Sequence, residues 1–395
     1  MSEMRLKDKT LYANTGLDAI KRAPIVEHDT GLKCIRIQDI SQGKGYNEWG
    51  FTETNEKDRN KFSLKKNDLL VARTGATVGV SQFIKEDIEA VHNNGTIRLR
   101  LDKSLNARFV YYIFQTKSFL QYIDNISCVA TQPNLRIEGL LRFTIPDYSI
   151  ERQDKIVEIL SMFDDLIENN NKRIKLLEQM AENLYREWFV RFRFPEYEDV
   201  EFEDGIPEGW KRIKLKELIK RSGKSIKKEN LEESYKYVPI DFINSKSIVL
   251  RKYDDLENAS SSLQTFQEKD ILFGAMRPYF HKVSIADFKG VTRSTCFVIR
   301  PIEEDYLYYV LMMLFQESTV NFATTISVGS TMPYVRWEDF VRMNTLKPTK
   351  SVISDFYRKM APLIKEMNIL VAKNEKLAKQ RDLLLPRLMS GKLEV

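Results

Sequence analysis

The sequence repeats itself at a spacing of about 200 residues, and this repeat restricts the folds that the chain can adopt. Ser, Thr, Pro, Arg and Glu recur in the same order in residues 127–138 and 327–338. Upstream, residues 67–70 (Asn-Asp-Leu-Leu) are echoed by residues 269–272 (Lys-Asp-Ile-Leu). Each half of the chain is therefore predicted to be a globular domain followed by a helical segment.

The chain of 395 residues is too long for one ordinary core, which supports a division into several folded units. The predicted fold class is α+β, with two mixed α/β domains, two long helices and a pseudo-twofold internal repeat. The predicted boundaries are 1–150 for the first domain, 151–190 for the first long helix, 191–207 for a linker, 208–350 for the second domain, and 351–395 for the second long helix with a C-terminal tail.

Short sequence patterns predict the elements inside the domains. Residues 97–101 alternate apolar and basic side chains, which predicts a strand with one face inward and one outward. Residues 296–299 are continuously apolar and predict a buried strand. Residues 107–122 and 305–322 are predicted to be packed helices whose aromatic residues belong to the core.

Both helical segments carry apolar residues at alternating steps of four and three, which is typical of a coiled coil. The first seam comprises Ile156, Leu160, Phe163, Ile167, Asn170, Ile174, Leu177, Ala181, Leu184 and Trp188. The second seam comprises Phe356, Met360, Leu363, Met367, Leu370, Asn374, Leu377, Arg381, Leu384 and Leu388. One asparagine interrupts each seam, and the two asparagines are not at equivalent positions.

These two asparagines indicate the direction in which the helices pair. In an antiparallel pair with Ile156 beside Leu388, Asn170 falls opposite Asn374. Parallel pairing would instead set each amide against an aliphatic side chain. Because a buried amide without a partner costs about 1–3 kcal/mol, the sequence favours the antiparallel pair.

Two residues of the second helical segment depart from the coiled-coil pattern. Arg381 would face Phe163, which is tolerable if the guanidinium group reaches solvent or stacks on the ring. Pro386 lacks a backbone N–H, so the second helix should end or kink near this position.

An antiparallel pair would place the two domains at opposite ends of a rod and bring the chain termini close together. The segment 156–188 spans roughly 50 Å at 1.5 Å per residue, which is comparable with one to one-and-a-half turns of duplex DNA. Two non-identical domains at such a spacing would suit the two halves of a split DNA sequence. A protein-binding adaptor could share this shape.

The composition is that of a soluble, folded protein with a mild basic excess. Hydrophobic residues make up 43% of the chain, charged residues 30%, and the formal net charge is +6. Nine basic residues lie between 211 and 230, where a solvated surface and DNA phosphate contacts are both open explanations. No apolar run has membrane-spanning length, the N-terminus lacks an apolar signal core, and the three cysteines are far apart, so a cytoplasmic location is expected.

The motifs of the relevant enzyme classes are missing from the sequence. We find no Asn/Asp-Pro-Pro-aromatic methyltransferase motif, and residues 74–79 lack the spacing of a P-loop. There is no Gly-x-Ser-x-Gly elbow, and His28, His92 and His281 have no cysteine or acidic residue in metal-ligand spacing. The chain is therefore expected to have no catalytic residue, metal or cofactor of its own.

Several motifs in a fixed order resemble one protein family across essentially the whole chain. They are Arg73-Thr-Gly-Ala-Thr-Val-Gly79, Thr131-Gln-Pro-Asn-Leu-Arg136, Ile145-Pro with residues 151–160, Leu184-Tyr-Arg-Glu-Trp-Phe189, Ile206-Pro-Glu-Gly-Trp210, Gly274-Ala-Met-Arg-Pro-Tyr279 and residues 381–391. With the layout of domain, helix, domain and helix, they resemble the specificity subunits of type I restriction-modification enzymes. The first domain departs from the pattern because it lacks a Pro-Glu-Gly-Trp opening.

The resemblance implies that each domain is a target-recognition domain for one half of a bipartite, asymmetric site on double-stranded DNA. It also implies that the helices set the spacer and dock two methyltransferase subunits, and that restriction subunits join the complex. S-adenosylmethionine, and ATP with magnesium, would then be bound by these partners, and the chain itself would be non-catalytic. Two alternatives stay open at this point: a single-chain DNA modification or cleavage enzyme, and a protein-only coiled-coil adaptor.

Residue type predicts the DNA contacts, since Arg, Lys, Asn and Gln read base edges and many donors bind phosphates. In the first domain the candidates are Arg73, Thr74, Thr77, Asn93, Asn94, Gln132 and Asn134. In the second domain they are Arg277, Tyr279, His281, Lys282, Arg293, Ser294 and Tyr334. Each could instead be a turn former or an ordinary surface residue. Arg136 and Arg336 recur in both repeats, which indicates a shared scaffold role or a phosphate contact.

Overall fold

The chain divides into two compact units, and each long helix contributes one part to each unit. The computed structural model describes residues 2–127, 134–260 and 262–395. The first unit consists of Met1–Leu166 with Leu377–Val395, and the second of Ile167–Lys376. Within the described residues, no helix is long and apolar enough to cross a membrane.

The first unit is built on two four-stranded sheets with short helices. Its strands are β1 (Glu3–Arg5), β2 (Thr10–Thr15), β3 (Ile25–Val26), β4 (Lys33–Ile35), β5 (Gly50–Thr52), β6 (Leu69–Ala72), β7 (Ser81–Phe83), β8 (Ala90–His92), β9 (Thr96–Leu101) and β10 (Thr144–Pro146). Its helices are α1 (Ile37–Ser41), α2 (Glu56–Phe62), α3 (Ala107–Ile113), α4 (Lys117–Ser127), α5 (Ile137–Leu141) and the first part of α6 (Ile150–Tyr185). The sheets have the orders β2-β9-β6-β7 and β3-β5-β4-β8, and β1 pairs with β10.

The second unit has the same kinds of elements. Its strands are β11 (Phe202–Glu203), β12 (Ile206–Pro207), β13 (Lys211–Lys214), β14 (Ile219–Arg221), β15 (Ser225–Ile226), β16 (Lys236–Tyr237), β17 (Leu263–Phe266), β18 (Ile271–Gly274), β19 (Val283–Ile285), β20 (Gly290–Arg293), β21 (Cys296–Pro301) and β22 (Asn344–Lys347). Its helices are α7 (Leu307–Leu314), α8 (Glu317–Thr325), α9 (Trp337–Phe340) and the first part of α10 (Lys350–Met389), and a π-helical turn, Arg186–Val190, continues α6.

Strand order confirms the predicted internal repeat. The sheet β14-β21-β18-β19 matches β2-β9-β6-β7, and the pair β13-β22 matches β1-β10. The other sheet differs, because its order in the second unit is β15-β17-β20-β16. In the first unit, β4 of the parallel pair β4-β8 also pairs with β5. In the second unit the counterpart pair is β16-β20, and there β20, the counterpart of β8, pairs with the rest of the sheet through β17. The repeat is thus complete in one sheet and rearranged in the other.

The structure corrects one predicted strand pattern. Strand β21 is buried as predicted, but the predicted outward face of β9 is wrong at Arg98, which is only 1% exposed. Its guanidinium group donates hydrogen bonds to the carbonyl oxygens of Ser63 and Lys61 at 2.6 and 3.0 Å. The face of the sheet that carries Arg98 is also covered. Leu70 of β6, which pairs with Arg98, lies in one apolar cluster, and its neighbours Leu69 and Val71 lie in another cluster on the opposite face. The predicted helices 107–122 and 305–322 are each two shorter helices.

Each apolar residue of the two predicted heptad seams is buried or half-buried. In the first unit, Ile156 and Leu160 near the start of α6 share one apolar cluster with Leu385 and Leu388 near the end of α10. In the second unit, Trp188 packs against Phe356 with ring centroids 5.7 Å apart. The start of each helix therefore meets the end of the other, which confirms the antiparallel pairing.

The buried asparagine pair lies where the sequence predicts it. Asn170 Nδ2 donates to Asn374 Oδ1 at 2.8 Å, and Asn374 Nδ2 donates to Asn171 Oδ1 at 3.1 Å. Asn170 is buried, so this partner replaces the water that its amide would otherwise bind. The pair therefore satisfies both amides inside the seam.

The two unusual residues of the second helix are accommodated in different ways. The Arg381 side chain is 30% exposed and is held by two carboxylates, since its Nη1 donates to Asp164 Oδ1 at 2.6 Å and its Nη2 to Asp382 Oδ1 at 2.8 Å. The helix α10 ends at Met389, within one turn of Pro386, as the missing N–H predicts.

A buried aspartate supports the same turn in both units. In the first unit, Asp68 is fully buried and accepts two hydrogen bonds from Arg100, each 2.8 Å long. In the second, Asp270 is 1% exposed and accepts from Arg300 Nε at 2.7 Å. Each aspartate follows a residue with left-handed backbone and directly precedes a central strand. This shared role explains why the segment is similar in both halves of the sequence.

Candidate DNA interface

The repeat places two loops at the same edge of two matching sheets. Leu69 of β6 faces Leu99 of β9, just as Ile271 of β18 faces Ile299 of β21. The residues that follow β6 and β18 are therefore counterparts of each other. Because the sheets match strand by strand, differences between these two loops are differences in side chains on a common frame.

We call residues 73–79 the first edge loop and residues 275–281 the second edge loop. Both have left-handed backbone at two positions four residues apart, Gly75 (φ 82°) and Gly79 (φ 91°) in the first and Arg277 (φ 50°) and His281 (φ 51°) in the second. Glycine adopts this conformation freely, whereas a residue with a side chain is disfavoured by about 1–2 kcal/mol. Strain of this kind persists only when neighbouring contacts hold it, and it concentrates at functional sites.

Polar side chains meet at the first edge loop. Arg73 Nη2 donates to Asn134 Oδ1 at 3.1 Å, and Thr74 forms a β-bridge with Asn134. The Arg73 N–H donates to the carbonyl of Gly95 at 2.9 Å, which places the exposed Asn94 beside the loop. The fold therefore brings together four of the residues that the sequence selects in the first domain.

Two of the three remaining selected residues of the first domain are less accessible. Thr77 is half-buried within the first edge loop. Asn93 is half-buried in the turn before β9, and its Oδ1 is enclosed without a hydrogen-bond partner, so this oxygen does not reach the surface. Gln132 lies outside the described residues.

The second edge loop carries a matching cluster with different side chains. Met276 forms a β-bridge with Tyr334, and the Arg277 N–H donates to the carbonyl of Pro333 at 2.8 Å. The Tyr334 hydroxyl donates to the carbonyl of the exposed Ser294 at 3.5 Å. These contacts repeat the arrangement of the first unit, with a tyrosine in place of Asn134.

Three further side chains lie on segments that adjoin this second cluster. Arg293 and Tyr279, both selected from the sequence, are exposed. Arg221, which sequence reasoning treated only as one of nine basic residues, lies over the Phe297 ring at 5.6 Å. The same ring packs against Tyr334 with centroids 6.2 Å apart. Arg221 lies beside the Phe297 ring because β14 pairs with β21, and no local sequence motif predicts this position.

The structure corrects two selected residues of the second domain. His281 is only 4% exposed, and its Nε2 donates to the carbonyl of Phe315 at 2.7 Å. Burial lowers the pKa of His281, so the ring is neutral at pH 7, and it is not presented at the surface where DNA could bind. Lys282 directs its ammonium group inward, where it donates to the carbonyl of Ile240 at 2.7 Å.

The basic segment 211–230 is exposed at all nine basic side chains. Three of them donate to uncharged acceptors of the protein, Arg212 to the Asp204 carbonyl, Lys214 to the Asn344 side chain and Lys228 to the Glu257 carbonyl. Their positive charge is therefore not neutralised by these contacts. Of the nine, Arg221 is the one placed against the second cluster through Phe297.

Arg136 and Arg336 occupy the same place in the two units, directly before α5 and α9. Both side chains are exposed, and neither caps its helix with a side-chain hydrogen bond. Because Arg136 and Arg336 each lie two residues after the bridge-forming Asn134 and Tyr334, they flank the two clusters. An exposed arginine that recurs beside both clusters fits a phosphate contact better than a scaffold role.

The two units differ in side chains at the edge but agree in the residues that support it. The supporting Asp68 matches Asp270, and beside the edge Arg136 matches Arg336 and Glu138 matches Glu338. Edge residues that differ are Arg73 with Ala275, Gly75 with Arg277, Thr77 with Tyr279, Asn93 with Arg293, Asn94 with Ser294, and Asn134 with Tyr334. The frame is therefore shared while the chemistry of the edge is not.

The buried thiols carry no reactive chemistry at neutral pH. Burial raises the pKa of Cys34 to about 12 and that of Cys296 to about 11, so both stay protonated and are poor nucleophiles. Cys128 lies outside the described residues. Within residues 2–127, 134–260 and 262–395, no cluster of His, Cys, Asp and Glu side chains could hold a metal ion.

Comparison with known proteins gives one consistent family. The sequence model described as "type I restriction modification DNA specificity domain" matches residues 27–179 and again residues 207–344. The chain is 29% identical over 310 residues to the MjaIX specificity subunit of a type I restriction enzyme from Methanocaldococcus jannaschii, covering 73% of this chain and 69% of that protein. It is 22% identical over 407 residues to the HindI specificity subunit from Haemophilus influenzae, covering 84% and 88%.

Among solved structures, the fold is similar to that of the S subunit of the type I restriction-modification system from M. genitalium. The TM-score is 0.57 with 16% sequence identity, and the alignment covers 98% of this chain and 96% of the other. This likeness shows that the two chains share a fold over nearly their whole length.

Proposed function

This chain belongs to the family of type I restriction-modification DNA specificity subunits, and on that premise we propose that each globular domain reads one half of a bipartite, asymmetric DNA site. The two edge clusters contact the bases, and the long helices set the number of base pairs between the half-sites. One observation carries the proposal: the two units share a frame at the edge loops and differ there in side chains. Two unlike half-sites require such an arrangement.

The chain is a specificity subunit and acts within a larger assembly, which decides against both a single-chain enzyme and a protein-only adaptor. We propose that two methyltransferase subunits bind the long helices and that restriction subunits join them. S-adenosylmethionine, and ATP with magnesium, are then held by these partners. Two exposed apolar pairs on α6 support docking on this helix. They are Met162 with Leu166 in the first unit and Leu176 with Met180 in the second.

Methylation mapping with single-domain variants tests the proposal. The full chain is expressed with its methyltransferase subunits, and modified positions are mapped across a genome. Arg277→Gly should relax the base preference in one half-site by about 5- to 150-fold, since a good bidentate contact contributes about 1–3 kcal/mol of discrimination. Glycine is the residue that the matching loop carries at Gly75, so this variant removes the side chain without straining the loop.

The first domain supplies the matched control for that experiment. Asn134→Ala should relax the opposite half-site by a similar factor and leave the half-site altered in Arg277→Gly unchanged. The chain without methyltransferase subunits should methylate nothing. Methylation by the chain alone, or relaxation of both half-sites by one variant, would rule out the division of labour between the domains.

Phosphate contact at the recurring arginines should appear as a change in salt dependence. Each phosphate contact on B-DNA contributes about 0.9 to the slope of log affinity against log salt concentration. Arg136→Ala and Arg336→Ala should therefore each lower the magnitude of the slope by about 0.9, on specific and non-specific duplexes alike, in salt titrations of the assembled complex.

Arg342→Ala is the control for these two variants, because Arg342 is an exposed arginine next to α9 that already lies 3.4 Å from Asp339. It should leave the slope unchanged. If Arg136→Ala weakened binding to only one DNA sequence, Arg136 would be a base contact and the phosphate assignment would be wrong.

A further inference from the structure

The second edge loop presents an exposed aromatic pair that the first edge loop lacks. Tyr279 is 50% exposed and Phe280 is 45% exposed, with ring centroids 4.9 Å apart and ring planes inclined at 66°. The matching residues of the first edge loop, Thr77 and Val78, are both half-buried and are not aromatic. The two loops share left-handed backbone at matching positions, but Pro278–Phe280 form a 3-10 turn in the second loop, whereas residues 76–79 form an ordinary turn in the first.

The aromatic pair is held on a fixed support. It lies between the two strained residues of the loop, where the Phe280 N–H donates to the Arg277 carbonyl at 3.0 Å and the His281 N–H to the Pro278 carbonyl at 2.8 Å. The buried His281 ring packs against Phe315 at 4.8 Å and donates to its carbonyl. The His281 side chain therefore anchors one end of the loop in the core, while the two aromatic rings stay half-exposed beside α8; we call these two rings the tip of the loop.

We propose that Tyr279 and Phe280 form a wedge that inserts between adjacent base pairs of the second half-site and unstacks that step. The proposal rests on the proposed function, since the wedge continues from the Arg277 cluster that contacts the bases. Apolar side chains that enter a base step kink the duplex, and bases stack readily on aromatic rings. Positive charge near the tip fits DNA. Arg277 belongs to the same loop, Arg221 lies over the Phe297 ring that packs against Tyr334, and Arg293 directly precedes Ser294, whose carbonyl accepts from Tyr334.

Only the second half-site should be deformed in this way. Because Thr77 and Val78 replace the aromatic pair, the first domain has no comparable tip at its edge loop. The recognition of the second half-site then depends on how easily one step unstacks, in addition to direct contacts with base edges. A flexible pyrimidine–purine step is the expected place for the wedge.

Fluorescent base analogues test the wedge in the assembled complex of the full chain with its methyltransferase subunits. Duplexes carrying the mapped bipartite site have 2-aminopurine in place of each adenine, or pyrrolocytosine in place of each cytosine, one position at a time in both half-sites. The unaltered complex should give a fluorescence rise at one step of the second half-site that has no counterpart in the first. The paired substitution Tyr279→Thr with Phe280→Val, which copies the first edge loop, should abolish that rise.

The paired substitution also serves as a test of folding and of the alternative contact. Its thermal unfolding should match that of the unaltered chain, and its affinity for the site should fall by about 5- to 150-fold, so fluorescence is read at saturating protein. Unstacking by the methyltransferase subunits would occur in both half-sites and would persist in the variant. A rise that persists, or no rise specific to the second half-site, overturns the wedge.

Two other results are distinguishable from these. If the variant keeps its DNA affinity and its fluorescence but loses the methyltransferase subunits on gel filtration, the aromatic pair is a protein contact and the wedge is wrong. If no bipartite site can be mapped at all, the proposed function fails before the wedge is tested by fluorescence, and both are abandoned.

Discussion

Replacing Asp68 with alanine should destabilise the first unit by about 3–5 kcal/mol, the cost of breaking a buried ion pair by removing one partner. Asp68 is fully buried, accepts two hydrogen bonds from Arg100, and lies 4.0 Å from the Nη1 of Arg98. Arg98 is itself 1% exposed. Burial already lowers the pKa of Arg98, and Asp68 opposes that shift. Without the carboxylate, a buried guanidinium group loses its nearest counter-charge.

The matching aspartate of the second unit provides the control. Asp270 pairs with Arg300, whose side chain is 42% exposed, and the position matching Arg98 is Val298. Asp270→Ala should therefore cost only about 1–3 kcal/mol, because Arg300 can hydrate when its partner is removed. Hydrogen exchange followed by mass spectrometry separates the two units, since protection should fall mainly in the unit that carries the substitution.

A second substitution separates charge from shape at the same site. Asp68→Asn keeps the size of the side chain but removes its charge, so it should destabilise the first unit nearly as much as alanine does. Equal costs for Asp68→Ala and Asp270→Ala would contradict this account, because they would show that Arg98 does not depend on Asp68.

Most of the fold that could be predicted from the sequence followed from the spacing of residues within short segments. The seam residues repeat at helical intervals within each segment, so the helices and their antiparallel pairing follow from the pattern and from Asn170 opposite Asn374. The internal repeat likewise follows from similarity along the chain. Neither inference requires knowledge of which distant residues meet.

Side-chain direction at the candidate site could not be predicted in the same way. His281 lies two residues after the motif 274–279 and directly before Lys282, yet its ring is buried because it donates to the carbonyl of Phe315, which is distant in sequence. Arg98 alternates correctly with its neighbours, but the sheet is covered on both faces and the side chain is buried. Arg221 reaches the second cluster only because β14 pairs with β21. Each case depends on long-range packing that a local pattern does not encode.

The asparagine pair of the seam should show strong coupling between its two members. Asn170→Leu removes the donor to Asn374 Oδ1 and sets that amide against a leucine, which should cost about 1–3 kcal/mol. Asn374→Leu should cost a similar amount, since it leaves the buried Asn170 amide unpaired. The double variant places two leucines opposite each other in an apolar seam and should be nearly as stable as the unaltered chain, or more stable.

Denaturant unfolding of the two single variants and the double variant measures this coupling as a double-mutant cycle. Residues in direct contact give interaction energies of about 0.5–3 kcal/mol, whereas independent sites add within about 0.5 kcal/mol. Asn171→Ala is the control, because this exposed residue only accepts from Asn374 at 3.1 Å, and it should change stability by less than about 0.5 kcal/mol. Additive costs in the double variant would mean that the two amides do not depend on each other, and the pair would then not account for the direction of the helices.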